Sequence, residues 1–200
     1  MKPDDIRSRI LRPAAPAWGH SDYDLTSDTP PGGISLRPAA VLVPIVDRPE
    51  GPTVLLTRRT AHLRAHAGQI SFPGGRMEPH DESPEDTALR ETEEEVGIVR
   101  DRVEILGRLD VYRTVTNFAV TPVVGIVAPD FDPTPDPHEV AEVFETPLAF
   151  LLDSANHHRH TGWFNGNPRR WWAMPYGDYY IWGATAGMLM NLYERLSDEG

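Results

Sequence analysis

Between Asp81 and Gly97 the chain sets eight carboxylates (Asp81, Glu82, Glu85, Asp86, Glu91, Glu93, Glu94, Glu95) against one cation, Arg90. The same segment is marked as a helix. Ser83 suits an N-cap, Pro84 the first helical position, Asp86 the third place of a capping box, and Gly97 the terminator. Like charges three and four residues apart on a helix repel. Such a helix is stable mainly when something positive neutralises it, and a hard divalent cation held by oxygen is the simplest candidate. At about 100° per residue, Glu91, Glu94 and Glu95 share one face. Leu89, Thr92 and Val96 lie opposite and can pack on a core, and Glu93 faces water. The plain alternative is a solvated acidic helix, which a run such as Glu93-Glu94-Glu95 usually is. The glycine turn Phe72-Pro73-Gly74-Gly75 weighs against it, because a backbone carbonyl near Gly75 can complete a coordination sphere. Arg90, beside Glu91, can orient that carboxylate.

A second pattern lies upstream, over residues 55–75. Arg58, Arg59 and Arg64 bring three cations close together in sequence. With a net charge of −11, the chain repels phosphate-bearing ligands unless positive charge is supplied locally. Arginine forks match phosphate oxygens. The alternative is a basic strand end paired with acidic neighbours.

The two patterns resemble known ones. Arg90-Glu91-Thr92-Glu93-Glu94-Glu95-Val96-Gly97-Ile98 is similar to the second half of a Nudix box, with Thr92 at an apolar slot and Glu82 at the box's distance before Arg90. The first glycine, Gly75, comes one residue early, since the box spacing falls on Arg76. That extra residue also occurs in a branch of the family that cleaves coenzyme A. Leu55 to Arg59, Arg64, Gly68 and Phe72 to Gly75 resemble that branch's signature.

The resemblance implies an α+β fold, the Nudix α/β/α sandwich with a mixed β-sheet between helices. It implies Mg²⁺ or Mn²⁺ held by Glu91, Glu95 and Glu94 with the Gly75 carbonyl. Glu94 and Glu139 are the candidates for the general base, Arg90 completes the catalytic set, and Arg58, Arg59 and Arg64 bind substrate. The implied reaction is hydrolysis of the coenzyme A pyrophosphate, and of acyl-coenzyme A derivatives, to 4′-phosphopantetheine and adenosine 3′,5′-bisphosphate. One alternative keeps the fold and changes the substrate to ADP-ribose, a dinucleotide or a nucleoside triphosphate; the 55–75 pattern argues against it. The other is a non-catalytic ligand sensor, but sensors usually lose box carboxylates that are present here.

Composition narrows the rest. The negative balance opposes broad nucleic-acid binding. Cysteine is absent, which removes disulfides and thiol nucleophiles and fits a reducing compartment. No apolar run is long enough to span a bilayer and no signal-peptide core is visible, so a cytoplasmic enzyme is expected.

Residues 1–36 read as a short helix over 4–11, with Ile6 and Ile10 on one side, followed by an irregular Pro/Gly-rich arm. Residues 37–200 read as one domain. Expected strands are Ala39–Val46 with a hairpin partner Thr53–Thr57, then Gln69–Phe72, Val103–Val111 and Phe118–Val127. A hairpin of His157–Phe164 with Arg170–Met174 turns at Asn165-Gly166. Pro147–Leu152 reads as a short helix and Trp182–Leu196 as a terminal one. His157, His158 and His160 are expected to be exposed, not metal ligands. Trp171, Trp172, Tyr176, Tyr179, Tyr180 and Trp182 read as core or homodimer contacts ahead of an adenine stack. Either Glu139 or Glu142, after a proline-rich loop, can add a late carboxylate to the site.

Overall fold

Strand alternation sorts the apolar residues of residues 37–127 onto two faces of one sheet. The computed structural model describes residues 1–11, 18–25, 33, 35–63, 66–164 and 167–197. Strand β2 (Arg37–Val46) runs parallel to β8 (Phe118–Val127) along its whole length, from Arg37 opposite Phe118 to Val46 opposite Val127. Strand β3 (Thr53–Arg59) meets β2 only at Ile45–Val54 and Val46–Thr53. Beyond that point the two strands part, and one segment bridges the fork. Its first half, β4 (Ile70–Ser71), pairs with β3, and its second half, β5 (Gly74–Arg76), pairs with β2. Across β3 lies β9 (Val140–Pro147). Strands β6 (Val103–Arg108) and β7 (Val111–Arg113) pair with β8, and β1 (Trp18–Ser21) adds a parallel edge to β7.

Helix α2 (Pro84–Val96) covers one face, packing Ala88 and Val96 onto Ala40, Leu42, Val46, Leu55, Val123 and Val127. Helices α1 (Pro3–Ile10) and α4 (Ala184–Ser197) cover the other, where Ile6, Ile10, Leu189 and Leu192 meet Val43, Ile45, Val54, Leu56, Val124 and Ile126. The result is a mixed sheet between helices, as expected. A second sheet of β10 (His158–Phe164), β11 (Asn167–Tyr176) and β12 (Tyr179–Trp182) buries Met174 and Ile181 against the same core as α4. Between the sheets in sequence lies α3 (Leu148–Leu151). The described part of residues 1–36 packs with the rest. The half-buried Asp22 carboxylate accepts from Tyr112 Oη and Val115 N, both at 2.8 Å, which ties the turn after β1 to β7.

Several boundaries differ from expectation for identifiable reasons. The glycine turn is the strand β5, because β2 offers it a free edge once β3 diverges. The single strand expected over Val103–Val111 is broken into β6 and β7, with an irregular register at Gly107. Strand β9 was not foreseen, and the terminal helix starts at Ala184 because Tyr179–Trp182 form β12. Asn165 and Gly166 lie outside the described residues.

Candidate active site

Helix α2 is fixed at both ends by local chemistry. Ser83 Oγ accepts from Asp86 N at 3.2 Å, and Gly97 closes the helix in the left-handed region at φ 76°. Most of its acids have protein partners. Arg108 grips Glu85 through two 2.6 Å bonds, Arg100 reaches Asp86 at 2.9 Å, and Arg90 forks onto Asp81 at 3.0 and 2.9 Å. The count of one cation within the segment therefore overstates its imbalance, since Arg100, in the short 3₁₀ turn Arg100–Arg102, and Arg108, on β6, fold back onto the helix.

Two carboxylates, Glu91 and Glu95, turn inward to the glycine strand β5. Glu95 is buried at the fork and accepts from Gly74 N at 3.2 Å. A Cβ at Gly74 would press 2.5 Å from the Ala40 carbonyl, so only glycine lets this strand sit there. Glu91 packs on Gly75, where any Cβ would collide with its carboxylate. Arg90 steers that carboxylate through Nη1 to Oε1 at 3.0 Å. Burial, with smaller repulsion from neighbouring acids, pushes both carboxyls up, Glu91 above its ordinary value and Glu95 from 4.5 to about 7.

Glu94 departs from the expected trio. Its side chain is 60% exposed and turns outward to Arg90 Nη1 at 3.1 Å. Its helix position is on the shared face, but the sheet shields only the two residues nearest the fork. Arg90 itself is fully engaged, since Asp81, Glu91, Glu94 and the Arg76 carbonyl all accept from it. Its guanidinium thus ties Asp81, Glu91, Glu94 and the Arg76 carbonyl together. Its clamp, Asp81, was missed: the box spacing points to Glu82, but the carboxylate that Arg90 grips is the neighbour. Asp81 is 2% exposed and also accepts from Glu78 N and Thr87 Oγ1.

The two late acids separate cleanly. The last carbonyls of a helix lack helical partners, and the proline-rich loop supplies donors to the final two of α2: Asp136 N donates to Glu95 O at 3.0 Å and Thr134 N to Val96 O at 2.8 Å. This docking brings Glu139 to the pair, where its charge adds to the upward push on Glu91 and Glu95. Glu142 lies on the other side of β3, bound to Arg58 at 3.3 Å and to Tyr179 Oη at 2.7 Å.

The expected arginine cluster also divides. Arg59 projects to the α2 side, 3.5 Å from Glu95 and 3.7 Å from Glu139, and its Nε is buried without a partner. Arg58, one residue earlier, projects to the opposite face over the Tyr179 ring. Arg64 lies outside the described residues. The histidines 157, 158 and 160 are not gathered as a metal site: His157 bonds the Leu151 carbonyl and His160 the Tyr180 hydroxyl.

The comparisons with known proteins agree with this geometry. A model of the NUDIX domain matches residues 36–165. The chain belongs to the Nudix family. The Nudix hydrolase NudL of Escherichia coli K12 is 47% identical over 156 residues, covering 78% of this chain and 81% of NudL. The protein DR0079 of Deinococcus radiodurans shares the fold with a TM-score of 0.52 at 13% identity, over 82% of this chain and 88% of that one. A MutT/nudix family protein of Enterococcus faecalis shares it with a TM-score of 0.50 at 18% identity, over 86% and 66%. Among the described residues no helix is long and apolar enough to cross a membrane.

Nudix hydrolases generally work with divalent ions such as Mg²⁺ or Mn²⁺. The residues here fit such an ion. Glu91 and Glu95 are hard oxygen donors, both costly to ionise where they stand, with only the loosely placed Arg59 to compensate Glu95. Among the described residues no three acids or histidines form a ready cage, so an ion here would need further oxygens from backbone or water.

A stability test follows from Glu95. Its folded value lies above the unfolded one, so its contribution is complete below about 4.5 and is lost as pH rises through about 7. In chelator, melting is expected to weaken from about pH 5 to pH 8 by as much as 3 kcal/mol, roughly the free energy of that displacement. Mn²⁺ should restore the loss at the upper pH, and Glu95→Gln should remove this part of the slope. Equal slopes in the variant and the parent would refute the assignment.

Proposed function

We propose that this Nudix hydrolase cleaves the pyrophosphate of coenzyme A, releasing 4′-phosphopantetheine and adenosine 3′,5′-bisphosphate. One observation carries the reading. Arg59, from the upstream pattern that resembles the coenzyme A branch, reaches Glu95 on the acidic helix and Glu139 on the late loop. Two stretches read separately in the sequence thus meet at one place, and both belong to the same implied chemistry.

Each residue then has a task. Glu91 and Glu95 would hold Mg²⁺ or Mn²⁺ beside Gly75, and Arg90 with Asp81 keeps Glu91 in line. Such an ion, once bound, neutralises phosphate oxygens and acidifies a water. Arg59 offers its guanidinium to the substrate's phosphates, and in doing so would leave Glu95 and Glu139, which it now approaches at 3.5 and 3.7 Å. Glu139 is the better placed general base, since it is 47% exposed and held only at 3.7 Å. Glu94 has an oxygen taken by Arg90 at 3.1 Å. Water attacks one phosphorus as its proton passes to the Glu139 carboxylate, and the bridging P–O bond breaks to release the other half as a phosphate monoester.

Mass spectrometry of coenzyme A incubated with protein and Mg²⁺ or Mn²⁺ should reveal those two products. Oxygen-labelled water should mark one of them and so identify the phosphorus attacked. Hydrolysis of ADP-ribose with coenzyme A left intact would overturn the substrate; binding without turnover under either metal would favour a sensor.

A further inference from the structure

The sheet β10–β12 has two unlike faces. Met174 and Ile181 point into the core. The other face carries an aromatic patch of His160, Trp171, Tyr180 and Trp182. Ring centroids of Trp171 and Trp182 lie 5.7 Å apart, and those of Tyr180 and Trp182 6.2 Å apart. Trp171 Nε1 donates to Tyr180 Oη at 3.3 Å, and that oxygen lies 2.9 Å from His160 Nδ1. The rings are thus held as a shelf without being buried: Tyr180 is 40% exposed.

Tyr180 and Trp182 line a recess of about 510 Å³ together with Arg58, Gln69, Ile70 and Asp178. Flat π surface beside one cation, one carboxylate and one amide is the chemistry of a nucleobase site, where stacking supplies affinity and a few polar groups fix orientation. A buried core contact does not need charge of either sign, and a self-interface tends to exclude it from its centre. Position matters as well. Arg58 faces the recess and Arg59 faces Glu95, so the recess and the carboxylate pair flank the two sides of the end of β3.

We infer that this recess is an adenine subsite: Tyr180 and Trp182 stack on the purine, Asp178 accepts from its exocyclic amino group, and Arg58 meets a phosphate on the ribose. The inference rests on the coenzyme A reading for its natural ligand, whose nucleotide half extends from the pyrophosphate that the carboxylate pair addresses.

The probes are adenosine 3′,5′-bisphosphate and AMP, titrated by calorimetry into the full chain in chelator. Both should bind, and Trp182→Ala and Tyr180→Ala should each weaken binding by about tenfold. Trp182→Phe, which keeps a ring, should recover most of the loss. If Trp182→Ala melts early, Tyr180→Ala at the more exposed ring decides. The KM for coenzyme A should rise by a similar factor in the alanine variants. Unchanged affinity and KM in both alanine variants, in a protein that does cleave coenzyme A, overturn the subsite and leave the function standing. Ring-dependent AMP binding in a protein that leaves coenzyme A intact keeps the subsite and removes the function. Sedimentation showing a dimer that buries Tyr180 and Trp182 would also overturn the subsite.

Discussion

Glu95→Gln is expected to lower kcat by about a thousandfold while the protein stays folded. The amide keeps the shape and can still accept from Gly74 N, so the fork should close as before. It cannot supply the negative charge that holds a divalent ion, and losing several kcal/mol of charge stabilisation at the transition state corresponds to that factor. Folding gains if anything, because the charged form of Glu95 is disfavoured where it stands. Product formation from coenzyme A, a melting curve in chelator and Mn²⁺ binding by electron paramagnetic resonance separate these effects. Full activity in the variant would remove Glu95 from the mechanism.

Arg90→Ala is expected to cost about 3 kcal/mol of stability and most of the activity. Asp81 is almost fully enclosed, and the Arg90 fork holds it well below the usual carboxylate range. Removing one partner of a buried pair strands the other charge, which is worse than losing the pair altogether. Asp81→Asn added to Arg90→Ala should therefore recover part of the stability. It should not recover turnover, since Glu91 would still lack its guide. Arg90→Lys keeps the charge without the fork and should fall between. Urea denaturation gives the stability and initial rates give the activity. A variant within about 0.5 kcal/mol of the parent would place Arg90 among ordinary surface residues.

How much of this was legible depended on whether the controlling interactions were local. The limits of α2 follow from Ser83, Pro84 and Gly97, each acting within a turn, and they were read correctly. The mixed sheet between helices was reached by resemblance, since strand periodicity gave only α+β. Gly74 and Gly75 were read as a turn because their partner edge on β2 is remote in sequence. Strand β9 was missed because Glu139, Glu142 and Glu145 follow a proline-rich loop and suggest solvent, although Glu142 and Glu145 lie within β9. The opposite faces of Arg58 and Arg59 were within reach of period-two reasoning, had β3 been carried past Thr57. The displacement of Glu94 was not, because helical angle alone cannot tell which carboxylates a sheet will shield. Nor was Asp81 over Glu82, a choice made by Thr87 and Glu78 N.

The parallel register of β2 on β8 bears on how such a chain reaches its working form during synthesis. Arg37 cannot find Phe118, nor Thr53 meet Pro147, until the intervening polypeptide has emerged. Distant pairings of this kind are slow because the loop must close before any reward arrives. Until then β2 has no parallel neighbour, and the acidic helix lacks Val123 and Val127 from the surface on which its apolar side packs. A nascent chain halted before residue 118 would leave that helix half seated, and the sheet that carries it closes only after β8 and β9 have emerged.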